Sequence, residues 1–137
     1  MREVLFRGKG INTGEWRYGN FVVENWTSKI VTNTGEKFSV VTATVGQYTE
    51  VDDVDGNKIF EGDIVRLSSK PDLSNNQIKR GLLHHEKTAI VVTDKGRWVA
   101  KRQLNNGSYY NIGLYDDDYD FAVIGNTTDN PELLEVK

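Results

Sequence analysis

Two tracts of carboxylates are the residues of this chain most able to do chemistry. The first holds Asp52, Asp53, Asp55 and Glu61 around Gly56. A calcium loop needs oxygen ligands at positions 1, 3, 5 and 12, with glycine at 6 for the sharp turn. With Gly56 at position 6, Asp53 and Asp55 fall on positions 3 and 5. Position 1 is then Val51 and position 12 is Gly62, and neither brings a side-chain oxygen. The pattern fails as a metal site. Aspartates have another use in turns, where the short side chain accepts nearby backbone N–H groups. Asp55-Gly56-Asn57 is a turn signal in its own right, because glycine and asparagine tolerate positive φ. Asp63 stands where it can brace the start of a strand.

The second tract is Asp116, Asp117, Asp118 and Asp120, beside Tyr115 and Tyr119. Paired carboxylates can share acid–base work in hydrolysis. No glycine stands where calcium would require one, and a solvated turn has the same composition. His84-His85-Glu86 is the one histidine site. Adjacent side chains point in different directions on a strand or a helix, so two neighbouring rings rarely meet on one metal. Ser68, Ser69 and Ser74 have no nearby His–Asp arrangement of the triad kind. Neither GxGxxG nor a P-loop occurs, and there is no cysteine to serve as nucleophile or thiolate ligand. The expectation is a protein that is not an enzyme and carries neither cofactor nor metal.

Charge and aromatic residues point to binding instead. The net charge is −3, which argues against nonspecific coating of nucleic acid. The average hides a polarity. Positions 50–63 carry six acids (Glu50, Asp52, Asp53, Asp55, Glu61, Asp63) against Lys58, a local net of −5. Positions 79–102 carry seven bases (Lys79, Arg80, Lys87, Lys95, Arg97, Lys101, Arg102) against Glu86 and Asp94, a local net of +5. These are either two solvated faces of one domain or complementary surfaces that bring subunits together. Within the basic tract, Arg97, Trp98, Lys101 and Arg102 are followed by Tyr109 and Tyr110. Aromatics interleaved with cations can stack single-stranded bases while the cations meet phosphates. These six residues are the candidate contacts for a partner or a nucleic acid. The plainer alternative is that Trp98, with Trp16 and Trp26, fills the core.

The elements that must position these residues read as strands. Glu3–Arg7 and Trp16–Val23 form a first hairpin, with Ile11–Gly14 in the turn. Lys37–Val45 is β-branched and extended, and Lys58–Phe60 and Asp63–Leu67 follow the Gly56 turn. Pro71–Gly81 is a long polar loop, with a short helix expected near Ile78–Glu86. Thr88–Thr93 and Arg97–Lys101 pair across Asp94-Lys95-Gly96, and Phe121–Ile124 is the last strand. Pro131–Leu134 is a short helix with Asn130 as its cap. From Glu61 onward this is the logic of a small barrel, which Phe121–Ile124 would close, since closure removes exposed edges.

Three separated segments resemble one family. GQYTEVDDVDGNKIFEGDIV (Gly46–Val65) is similar to the signature of the YopX family of phage and prophage proteins. MREVLFRGKGINTGEWRYG (Met1–Gly19) resembles its opening and FAVIGNTTDNPELL (Phe121–Leu134) its close. The chain departs at Glu50-Val51, where members commonly carry glycine and leucine. The resemblance implies a mostly β fold containing a small SH3-like barrel with short helical pieces, and a phage origin. It implies one domain over 1–137, with an N-terminal β region at 1–45, a barrel-containing region at 46–137 and a variable insertion near 68–87. No window approaches the ~20 apolar residues of a membrane span, and the opening residues lack a secretory signal. The expected setting is the host cytoplasm. The expected role is a non-enzymatic binding or assembly protein, pairing with itself or with a phage or host protein. A nucleic-acid accessory module using Arg97–Tyr110 is the alternative.

Overall fold

The structure, a computed structural model, describes residues 4–69, 87–103, 106–116 and 118–134. The expected loop at Pro71–Gly81, the expected helix near Ile78–Glu86, the His84-His85 pair, Ser74 and Asp117 lie outside the described residues. The chain is mostly β, with two antiparallel sheets and two short 3-10 turns among the described residues. It divides into two compact units, Met1–Glu50 and Val51–Lys137.

In the first unit the strands are β1 (Phe6–Lys9), β2 (Trp16–Glu24), β3 (Thr27–Val31), β4 (Lys37–Ser39) and β5 (Gly46–Asp52). Their order is β4-β3-β2-β1-β5, and β5 runs on into the second unit. The expected first hairpin is present, with Lys9 opposite Trp16 and Phe6 opposite Gly19. Strand alternation then puts Phe6, Phe21, Ile30 and Phe38 on one side of the sheet. Phe6 and Phe21 meet at 5.9 Å between ring centroids, and Ile30 is fully buried. Burial of such a side chain stabilises by about 1.5–3 kcal/mol.

Two expectations need correction here. β3 was not expected, because its turn, Asn25-Trp26, contains no glycine to announce it. The expected strand Lys37–Val45 stops at Ser39. Val40 makes a single bridge to Gly10, and Thr42–Thr44 then forms a 3-10 turn. Threonine hydroxyls compete with the ladder for backbone groups. The Thr44 hydroxyl donates to the Val41 carbonyl at 2.6 Å and accepts the Lys9 N–H at 2.9 Å, so the chain bends where β-propensity alone would keep it straight.

The second unit begins with the end of β5 and β6 (Lys58–Phe60). It continues with β7 (Asp63–Ser69), β8 (Lys87–Asp94), β9 (Arg97–Gln103), β10 (Tyr109–Gly113) and β11 (Tyr119–Asn126). β7 to β11 make a five-stranded antiparallel sheet in the order β10-β9-β8-β7-β11. Its register aligns Phe121 with Leu67, Val65 with Ala89, and Val91 with Ala100 and then Ile112. Those residues form the core, joined by Ile59 and Leu114. The β8–β9 turn is as expected, with Lys95 at φ 53° and Gly96 at φ 82°.

Among the described residues the five strands do not close on themselves, and β10 and β11 are the two edges. The outer edge of β11 is occupied by the loop after β5. Val123 N–H donates to the Asp53 carboxylate, and Val54 N–H donates to the Phe121 carbonyl. A strand pairing there would have to displace both bonds. At the C-terminal end, Pro131–Leu134 is a 3-10 helix, close to expectation. Asn130 does not spend its side chain on that helix. Its Oδ1 accepts the Asn126 N–H at 3.2 Å, which folds the segment back on itself. A Cβ at Gly125 would lie 2.5 Å from this oxygen, so a side chain there would have to push Asn130 aside.

Candidate functional site

Asp53 of the first acidic tract bonds to backbone, as its turn composition implies. Asp53 Oδ1 accepts the N–H groups of Asp55 (2.9 Å) and Asn57 (2.8 Å). Its Oδ2 accepts the Val123 N–H at 2.9 Å. Burial pushes the Asp53 carboxyl up, but the bonds donated by Val123, Asn57 and Asp55 outweigh it and hold it below the ordinary aspartate value. Asp63 is buried and accepts the Phe60 N–H at 2.8 Å, bracing the start of β7. In the second tract Asp116 Oδ1 accepts the Asp118 N–H at 2.9 Å. No group of three His, Asp or Glu side chains is gathered as a metal would require among the described residues.

The six strip residues, contiguous in sequence logic, lie on two faces of the β8–β9–β10 region. Successive side chains of a strand point to opposite faces. Arg97, Lys101 and Tyr109 share one face with the fully buried Val99, and there Lys101 Nζ sits 4.1 Å from the Tyr109 ring centroid. Trp98, Arg102 and Tyr110 share the core-facing side, with Tyr110 directly opposite Arg102. Trp98 is partly buried and packs against the core. Tyr110, burial and the nearby charges of Asp116 and Asp118 raise the phenol of Tyr119, on the opposite edge strand β11, above its ordinary value. The strip is therefore split over two faces of the sheet, and Tyr109 and Tyr110, one from each face, are both exposed.

The tryptophans separate as sharply. Trp16 is half-buried, with the Arg7 guanidinium 4.7 Å and the Lys9 ammonium 5.8 Å from its ring centroid. Trp26 is 100% exposed, at the tip of the β2–β3 hairpin. This removes Trp26 from the plainer alternative, in which the three tryptophans fill the core. The reason is the turn: Asn25 and Trp26 both take positive φ (50° and 65°) to link Glu24 to Thr27 in two residues. Val23, three residues earlier, is 61% exposed. Below the tip, Glu24 is held by Lys37 at 3.1 Å and Lys29 at 3.7 Å.

The second unit also has a cleft of about 320 Å³, between the loop after β5 and the β10–β11 connection. Val51, Val54, Leu114 and Phe121 give it apolar walls. Tyr115 stands at its mouth, 67% exposed, with Val54 at 57%. Asp52, Asp116 and Asp120 add carboxylates to the lining. Sequence reasoning missed both this cleft and the hairpin tip. The cleft joins segments 60 or more positions apart, so only alternation and register bring its residues together.

Fold and site together define a mostly β protein of two antiparallel sheets, in which carboxylates order turns and aromatic residues are left at the surface. The family model described as YopX protein matches residues 11–135, nearly the whole length. The chain belongs to the YopX family. None of the curated proteins compared with it matches. No helix among the described residues is long and apolar enough to cross a membrane.

Proposed function

We propose that this chain is a phage-encoded, non-enzymatic binding or assembly protein of the host cytoplasm, with a partner contact on the β2–β3 hairpin. One observation carries the reading: Trp26 breaks two local rules at once. A left-handed backbone costs an L-residue about 1–2 kcal/mol, and full exposure forgoes the burial that a large apolar side chain normally gains. The equivalent position of the β8–β9 hairpin is Gly96, at φ 82°, which incurs neither penalty. A strained residue with no offsetting contact among the described residues points to a use outside its own fold. Tryptophan is also among the residues that dominate binding hot spots. The phage origin and cytoplasmic setting rest on the resemblance to phage and prophage proteins and on a cysteine-free composition suited to a reducing compartment. The second unit is read as an SH3-like barrel left open along β11.

Fluorine NMR of the fluorotryptophan-labelled chain tests the role of Trp26, with its signal assigned from Trp26→Gly. The signal should shift or broaden in the concentrated chain or in an extract of the cells that make it. A Trp26 ring that stays solvated in both would sink the reading.

A second reading keeps a nucleic-acid contact, centred on Arg97, Lys101 and Tyr109. The observation favouring it is the Lys101–Tyr109 pair. Titration of labelled single- and double-stranded DNA and RNA at two salt concentrations decides it. Binding that weakens with salt and falls in Lys101→Ala supports it. No binding at low salt removes it.

A further inference from the structure

We infer that the β2–β3 hairpin tip of one copy docks in the Val51–Phe121 cleft of a second copy, with the Trp26 indole as its anchor. The inference rests on the binding-or-assembly reading above and adds the occupant.

The two surfaces match in size and chemistry. A volume of about 320 Å³ is at the small end of the ~300–1,000 Å³ range of ligand pockets, the scale of one large side chain. An indole needs apolar walls for its rings and one acceptor for its single N–H donor. Val51, Val54, Leu114 and Phe121 provide the walls, and the carboxylates of Asp52, Asp116 and Asp120 provide acceptors. Tyr115, exposed at the mouth, offers an aromatic face to the incoming ring. Val23 extends the apolar surface of the tip.

Charge favours the same pairing. Lys29 and Lys37 flank the tip against one acid, Glu24, and would approach a carboxylate-lined cleft. By sequence the first unit carries six bases (Arg2, Arg7, Lys9, Arg17, Lys29, Lys37) and five acids (Glu3, Glu15, Glu24, Glu36, Glu50), a net of +1. The whole chain is −3, which leaves −4 on the second unit. Complementary fields of this kind steer encounter and fix register more than they add affinity.

Tip and cleft are different surfaces, so the contact is heterologous. Each copy offers one of each, and association continues head to tail into rings or open chains unless a surface is blocked. That property gives the test. Trp26→Gly removes the anchor and suits the turn. Val54→Arg, at an exposed position, fills the cleft mouth with a long cation. Sedimentation and light scattering of the full chain should show concentration-dependent association in the parent. Each variant should weaken it about 30-fold or more, the effect of losing a hot-spot residue. An equimolar mixture of the two variants should form a 1:1 dimer and stop there, one partner keeping its cleft and the other its tip. Tyr115→Ala is a second cleft variant should Val54→Arg melt at a lower temperature than the parent.

A parent chain that is monomeric at every concentration overturns the inference and leaves Trp26 to a foreign protein. Loss of association in Trp26→Gly with none in either cleft variant overturns the cleft assignment, while the role of Trp26 stands. Unchanged association in Trp26→Gly, or a mixture that gives no heterodimer, also overturns it.

Discussion

The side-chain carboxylate of Asp53 accepts the backbone N–H of Val123 at 2.9 Å, across 70 positions of sequence. The same carboxylate orders its own turn through the N–H groups of Asp55 and Asn57. One side chain therefore shapes a local loop and fastens that loop to the edge of β11. An unpaired strand edge is a template for wrong pairing, and native proteins cover it. Here the cover is a carboxylate plus one backbone bond, Val54 N–H to Phe121 O at 3.0 Å.

Replacing Asp53 with Asn should cost about 2 kcal/mol, because an amide nitrogen in place of Oδ2 cannot accept the Val123 N–H and leaves that donor unsatisfied. The pH dependence should change with it. The folded Asp53 pKa lies below its ordinary 3.8, so the unfolded chain takes the proton first as pH falls. The stabilisation is whole above the ordinary value and is lost as pH drops through the lowered folded value. Denaturant melts from neutral pH into acid should therefore show a shallower acid limb in Asp53→Asn. Parallel limbs would show that other groups carry the acid sensitivity.

Glu50 sits in β5 at φ 68°. Glycine adopts that conformation freely, whereas a side chain is strained in it. This is the position where the chain departs from the glycine common in the resembling signature, so the departure falls on a backbone that still has the glycine shape. Glu50→Gly should raise stability by about 1 kcal/mol, read as a higher denaturant midpoint with an unchanged slope. A lower midpoint would mean that the contacts of the Glu50 side chain outweigh the strain.

Tyr110 and Tyr119 stand on the two edge strands of the five-stranded sheet. The influence of Tyr110 leads the causes that raise the Tyr119 phenol above 10.0, followed by burial. A raised folded pKa stabilises the fold fully below the ordinary tyrosine value, and that contribution is lost as pH rises through the folded one. In Tyr110→Phe, ultraviolet titration should show Tyr119 ionising nearer its ordinary value, and the alkaline loss of stability should be smaller. An unchanged titration curve would place the cause in burial and the Asp116 and Asp118 charges alone.

Much of the scaffold was legible because its turns announce themselves. Asp55-Gly56-Asn57, Lys95-Gly96 and Asn130-Pro131 mark chain reversals through residues whose backbone preferences are strong. The Asn25-Trp26 turn has no such mark, and β3 was missed with it. Lys37–Val45 read as one strand because β-propensity does not register a threonine hydroxyl that takes the Lys9 N–H from 35 positions away. The basic strip looked like one surface because sequence proximity ignores the two-residue period of a strand. Register splits it, putting Arg97, Lys101 and Tyr109 on one face and Trp98, Arg102 and Tyr110 on the other. The candidate site was the least legible part, since the cleft depends on which loops lie side by side, and no local pattern encodes that.

Trp26→Gly should move stability and association in opposite directions. Glycine is the residue that a two-residue turn with two positive φ values favours at its second position, as Gly96 does in the β8–β9 hairpin. Relief of the left-handed strain should stabilise the monomer by about 1 kcal/mol. The substitution takes no packing from the monomer, because the ring is fully exposed. Association, in contrast, should fall. A residue kept for structure alone cannot give this pair of results, since removing it would lower or preserve stability without touching assembly. Thermal melts at a dilution where the parent is monomeric, set beside sedimentation at high concentration, separate the two effects. A variant that is both less stable and equally associated would assign Trp26 to the fold of the hairpin and to nothing beyond it.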